Sequence, residues 1–109
     1  MAHGITTIRE PGGSLSQKLK LELKNKSSKN EIIAPRIISF STFNSRVKSA
    51  DEAIEWVRKN AKEGSDGIKF FGAPPEIMEA AIKENNKLGL RSTAHHAQLN
   101  VVKWNVLNS

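Results

Sequence analysis

The 109-residue chain contains no cysteine. That excludes a disulfide framework and any thiolate chemistry, nucleophilic or metal-binding. No apolar run reaches the about 20 residues that a membrane-spanning helix needs. The N-terminus lacks the basic-then-apolar pattern of a secretory signal. Together these absences lead to the expectation of a soluble, cytoplasmic protein with no membrane partner. Aromatic residues are missing where nucleic-acid binding needs them. Lys18, Lys20, Lys24, Lys26 and Lys29 crowd one segment against Glu22 alone, yet no ring is interleaved among them to stack on bases. The run reads as the solvated face of a helix entering a loop, and no nucleic-acid partner is expected. A Gly-x-Gly-x-x-Gly fingerprint is also absent after the first strand, which argues against a dinucleotide-binding fold.

What is present suffices for one small domain with a core, carrying a formal charge of +6. Gly4-Ile-Thr-Thr-Ile-Arg9 is β-branched and ends at Pro11-Gly12-Gly13, a strand followed by a turn. Ser14 is placed to cap a helix carrying Leu15, Leu19 and Leu23 at helical spacing, with Asn25 to Asn30 closing it into a loop. A second strand follows Pro35, over Arg36 to Ser41. Ser49-Ala-Asp-Glu52 matches a capping box, and Ala53, Ile54, Val57 and Ala61 then keep helical spacing as far as Gly64, a C-terminal cap. Pro74 and Pro75 suit the first turn of a third helix, whose stripe is Ile77, Met78, Ala81, Ile82 and Leu88. Leu90 to His95 is a further strand, and Asn100 to Leu107 a helix cut short.

Strict strand–helix alternation implies βαβ units, a parallel sheet and right-handed crossovers. Two architectures satisfy it: a small doubly wound sheet, or part of a (β/α)8 barrel. The stretch that organises the rest is Asp66-Gly-Ile-Lys-Phe-Phe-Gly72, an apolar strand with a lysine at its centre. Alternation puts Lys69 and Phe71 on one face and Ile68 and Phe70 on the other. A lysine is rarely buried unless something pairs with it, so Lys69 either reaches solvent from an edge strand or belongs to a site.

Three segments together resemble the metal-dependent amidohydrolase superfamily, in its imidazolonepropionase- and prolidase-like branch. Ala2-His-Gly-Ile-Thr-Thr-Ile-Arg-Glu-Pro-Gly-Gly13 is similar to that family's second-strand signature. Gly64-Ser-Asp-Gly-Ile-Lys-Phe-Phe71 is similar to its fourth strand, whose lysine is carboxylated and bridges two metals. Arg91-Ser-Thr-Ala-His-His-Ala97 is similar to its fifth strand, whose histidine is a metal ligand. The resemblance covers nearly the whole chain, least of all Lys24 to Asn30. It implies a partial (β/α)8 TIM barrel of about four parallel strands. Residues 1–109 would form one incomplete domain matching strands two to five, since a whole barrel takes about 250 residues.

By the same resemblance Lys69 takes the bridging role and His95 that of a metal ligand. His96, on the opposite face of its strand, is structural. The full-length family uses divalent metal such as zinc to hydrolyse carbon–nitrogen bonds, in small-molecule cyclic amides or peptide-like substrates. Here the family's first-strand His-x-His pair is absent. His3 stands alone and precedes the second-strand signature, and the later histidine and aspartate ligands would fall beyond Ser109. The expectation is therefore a fragment that is catalytically inactive by itself. It is also expected to self-associate through its open sheet edges. The alternative is a non-catalytic binding or assembly module using the basic segment or those edges.

Overall fold

The computed structural model describes residues 3–12, 15–44 and 46–95. Ser14, His96 and the expected helix from Asn100 to Leu107 lie outside the described residues. Among the described residues seven elements alternate: β1 (Thr7–Glu10), α1 (Gln17–Ser28), β2 (Arg36–Thr42), α2 (Ala50–Lys62), β3 (Gly67–Phe70), α3 (Pro75–Lys87) and β4 (Arg91–Ala94). The strands pair in sequential order, all parallel, in one curled half-barrel sheet.

Local chemistry sets the helix ends. Ser49 caps α2, its hydroxyl accepting from the Glu52 amide at 3.2 Å. Glu52 reaches back one residue further than a capping box requires and accepts from the Lys48 amide at 3.0 Å. Gly64 follows α2 with φ +100°, a conformation that costs glycine least. Pro75 opens α3, where its missing amide hydrogen is no loss.

The first helix departs from expectation. Its cap is Ser16, accepting from the Leu19 amide at 3.4 Å. Leu15 precedes the helix, and the lysine-rich stretch stays helical as far as Ser28, with Lys26 bridging Glu22 at 2.8 Å one turn away. Leu15 and Leu19 are exposed, whereas Lys20 and Ser27 are the buried residues. The reason is a partner from β1: Glu10 meets the Lys20 amine at 2.9 Å. The ion pair satisfies the buried amine, and the helix seats by its polar side.

The core lies on one side of the sheet. Ile68 and Phe70 point there from β3, against Ala53 and Val57 of α2 and Ile77, Met78, Ala81 and Ile82 of α3. Phe43 tilts onto Phe70 with ring centroids 5.0 Å apart and meets Trp56 edge-on. The register Glu10↔Ser39 and Ser41↔Ile68 puts Glu10 on this same face, so α1 is on it too. All three helices therefore cover the convex side, as a barrel segment requires and a doubly wound sheet does not. Beneath them Ser65 accepts from the Ser41 amide at 3.2 Å and donates to the Gly67 carbonyl at 2.8 Å, tying β2 to β3.

Candidate functional site

The parallel register assembles the other, concave face. Thr42↔Lys69↔Thr93 run side by side, with Phe40↔Gly67↔Arg91 one step toward the N-terminal end and Arg9↔Ile38 further along β1 and β2. Lys69 thus sits centrally, on an inner strand, facing away from the helices. It is 8% exposed. Thr42 and Gly12 explain the burial of its stem. Gly12, in the turn after β1, passes so close that a Cβ there would stand 2.6 Å from Thr42 Oγ1 and 3.2 Å from Lys69 Cγ. The glycine is required twice over, because its φ of +96° also disfavours a side chain.

The Lys69 amine emerges over the ring of Phe71, 5.5 Å from its centroid. Phe71 in turn stacks on His95, with centroids 4.6 Å apart and planes 29° from parallel. His95 lies immediately after β4, at the C-terminal rim, where its amide donates to the Phe70 carbonyl at 3.1 Å. The two residues singled out by the sequence are therefore both brought against one aromatic ring, from adjacent strands. Burial lowers the pKa of Lys69, and the Arg9 guanidinium adds to the effect. Among the described residues, no carboxylate forms an ion pair with the Lys69 amine.

His3 is exposed in the turn ahead of β1, and so at the N-terminal end of the sheet, opposite the His95 rim. Among the described residues there is no group of three or more His, Cys, Asp or Glu able to hold a metal ion. A catalytic zinc keeps three protein ligands and one open position. Lys69 and His95 supply at most two donors, and the second requires no modification while the first does. The described residues by themselves do not complete a metal centre.

Sequence reasoning passed over the cations around this site. Arg9 lies over the Phe40 ring at 5.8 Å and, with Ile38, Leu90 and Arg91, lines a cleft of about 330 Å³ at the N-terminal end of the concave face. Strand parity alone relates Arg9 to Thr7. Only the pairing register brings it beside Ile38 and toward Lys69.

The fold and its concave lysine define a four-stranded parallel α/β half-barrel. Two solved structures share that architecture. One is a Xaa-Pro dipeptidase with methionine bound in its active site: TM-score 0.77 and 19% identity, over 95% of this chain and 35% of the other. The second, from Bifidobacterium longum and described as a prolidase, gives TM-score 0.74 and 23% identity, over 95% of this chain and 31% of the other. The chain thus spans about a third of the length of either structure, and at such identity the likeness is one of fold. No family model matches the chain, and no curated protein matches it. Among the described residues, no helix is long and apolar enough to cross a membrane.

Proposed function

We propose that this chain is the section of a metal-dependent amidohydrolase (β/α)8 barrel that carries the lysine strand and the following histidine strand, in an enzyme hydrolysing carbon–nitrogen bonds of peptide-like amides. The observation that carries the proposal is the placement of Lys69. A lysine on the concave face of a parallel half-barrel, buried and without an ion-pair partner among the described residues, contributes little to folding. Its suppressed basicity favours the neutral amine, the form that adds carbon dioxide. Arg9, which opposes the ammonium, would stabilise the resulting carbamate anion. His95 at the C-terminal rim lies where the reactive groups of such barrels gather. The likeness in fold to dipeptidase and prolidase structures supports the same assignment.

In that enzyme Lys69, as a carbamate, and His95 would be two of the ligands of divalent metal such as zinc, which activates water and polarises an amide carbonyl. Phe71 would hold both side chains in register. The remaining ligands and the substrate contacts would come from the rest of the barrel, so the 109-residue chain alone is inactive. The test is a hybrid in which this chain replaces the superposing third of the Bifidobacterium longum protein. The folded hybrid should bind metal and hydrolyse acyl-proline dipeptides, and Lys69→Ala or His95→Ala should abolish both. A folded hybrid that binds no metal would overturn the proposal.

A further inference from the structure

Among the described residues, the strand positions that face the concave side carry cations and no carboxylate. Register places Arg9, Arg36, Lys69 and Arg91 on it, alongside threonine, apolar side chains, Gly67 and His95. Three acidic side chains near the sheet are ion-paired to helix residues. Glu10 binds Lys20, Asp66 binds Lys24 at 2.7 Å, and Glu84 binds Arg58 at 2.7 Å. Arg9 and Arg91 are exposed and line one cleft over the buried Phe40 ring, together with Asp66, whose carboxylate is taken up by Lys24 and the Ser39 amide. Ile38 and Phe71 are also uncovered, at 37% and 51% exposure, so the face is apolar as well as positive.

We infer that this face is an interaction surface for an acidic sheet wall: a β/α polypeptide whose inward-facing strand positions set carboxylates against Arg9 and Arg91. The inference rests on the barrel proposed above and specifies the chemistry of its missing half. It also rejects the nearest alternative. A second copy of this chain has the right strand number to close an eight-stranded barrel, but it would bring the same arginines and lysine to the same enclosed space. Like charges juxtaposed across an interface select against that partner. A face that is positive and partly apolar is matched by carboxylates opposite.

A charge-reversed copy of the same chain provides an acidic wall with the correct sheet geometry. The Arg9→Glu/Arg91→Glu double variant is mixed with the parent and followed by sedimentation at micromolar concentration and at several salt concentrations. Both substituted residues are exposed, so the variant should keep the parent's circular dichroism; if it does not, the single Arg91→Glu copy, which leaves Arg9 over the Phe40 ring, serves instead, and an Arg9→Gln/Arg91→Gln copy controls for loss of the arginines alone. The expected result is a one-to-one complex about tenfold or more tighter than either chain with itself, weakening as salt rises. The glutamine copy should show reduced self-repulsion without that gain. A Lys18→Glu/Lys29→Glu copy, reversed on α1, should associate no better than the parent. Equal self-association of the parent, no mixed complex, or the same gain from the α1 variant would each overturn the inference. None of these results depends on metal binding or hydrolysis, so the outcome is separate from that of the hybrid barrel.

Discussion

Replacing Lys69 by methionine should stabilise this chain. The side chain is 8% exposed and its amine has no ion-pair partner among the described residues. Burying a polar group without compensation costs about 1–3 kcal/mol in mutational series. The Phe71 ring returns about 0.5–1 kcal/mol through its face. Because the ring itself is half exposed, the cost belongs at the lower end of its range. Methionine keeps nearly the same length and flexibility, so the packing of the stem against Gly12 and Thr42 survives. The net gain is about 1 kcal/mol, equivalent to roughly 4 °C in Tm for a domain of this size.

The pH dependence sharpens the test. The folded-state pKa of Lys69 is depressed by burial first and by Arg9 second. Between that value and the ordinary lysine pKa, the unfolded chain binds more protons than the folded one. The parent's stability relative to Lys69→Met therefore rises with pH across this interval, with a slope of at most about 1.4 kcal/mol per pH unit. Thermal unfolding of both chains by circular dichroism, in buffer purged of carbon dioxide from pH 7 to 10.5, measures it. A methionine variant that is less stable than the parent at pH 7, or a difference that does not shrink as pH rises, would refute the assignment of Lys69 as a residue held at a cost to folding.

Gly67→Ala should be among the most damaging single changes. The added Cβ would drive into the Arg91 carbonyl of β4 and stand 2.7 Å from Phe40 Cδ1; backbone cannot yield as a side chain can, so a loss of about 3 kcal/mol is expected in urea unfolding. Ser65→Ala strands the Ser41 amide under the helices and should cost about 1–3 kcal/mol by the same assay. Glu84 has its pKa held below the ordinary carboxylate range by Arg58, mainly through their hydrogen bond; its stabilising contribution is full above that range and is lost as pH falls through the folded-state value, so Arg58→Gln should flatten the acid limb of the stability profile. Finally, the 109-residue chain supplied with zinc, cobalt or manganese and bicarbonate should show no amidase, lactamase or dipeptidase turnover, and its intact mass should show Lys69 unmodified. Turnover that Lys69→Ala abolishes would show that a working centre assembles from this section alone.

Much of this molecule was decided by neighbours in sequence. The periodicity of Ala53, Ile54 and Val57, the hydroxyl of Ser49 and the ring of Pro75 fix where α2 and α3 begin and which side they bury. Pro11, Gly64 and Gly89 interrupt the chain at local turns, and alternation in β3 sends Lys69 and Phe70 to opposite faces. These are short-range effects, so they are written in the residues themselves. What the sequence could not decide is which face a helix covers and what meets what across strands. The leucines of α1 make an apolar stripe, yet the helix buries Lys20, because Glu10 arrives from β1 to pair with it. Arg9 and Lys69 are sixty residues apart in the numbering, and only the parallel register puts both on the concave face, where one charge acts on the other. His95 and Lys69 share the Phe71 ring for the same reason. A period of two assigns each side chain to one of two faces, but pairing between distant strands, and the side from which the helices pack, determines which face becomes the core and which becomes the site.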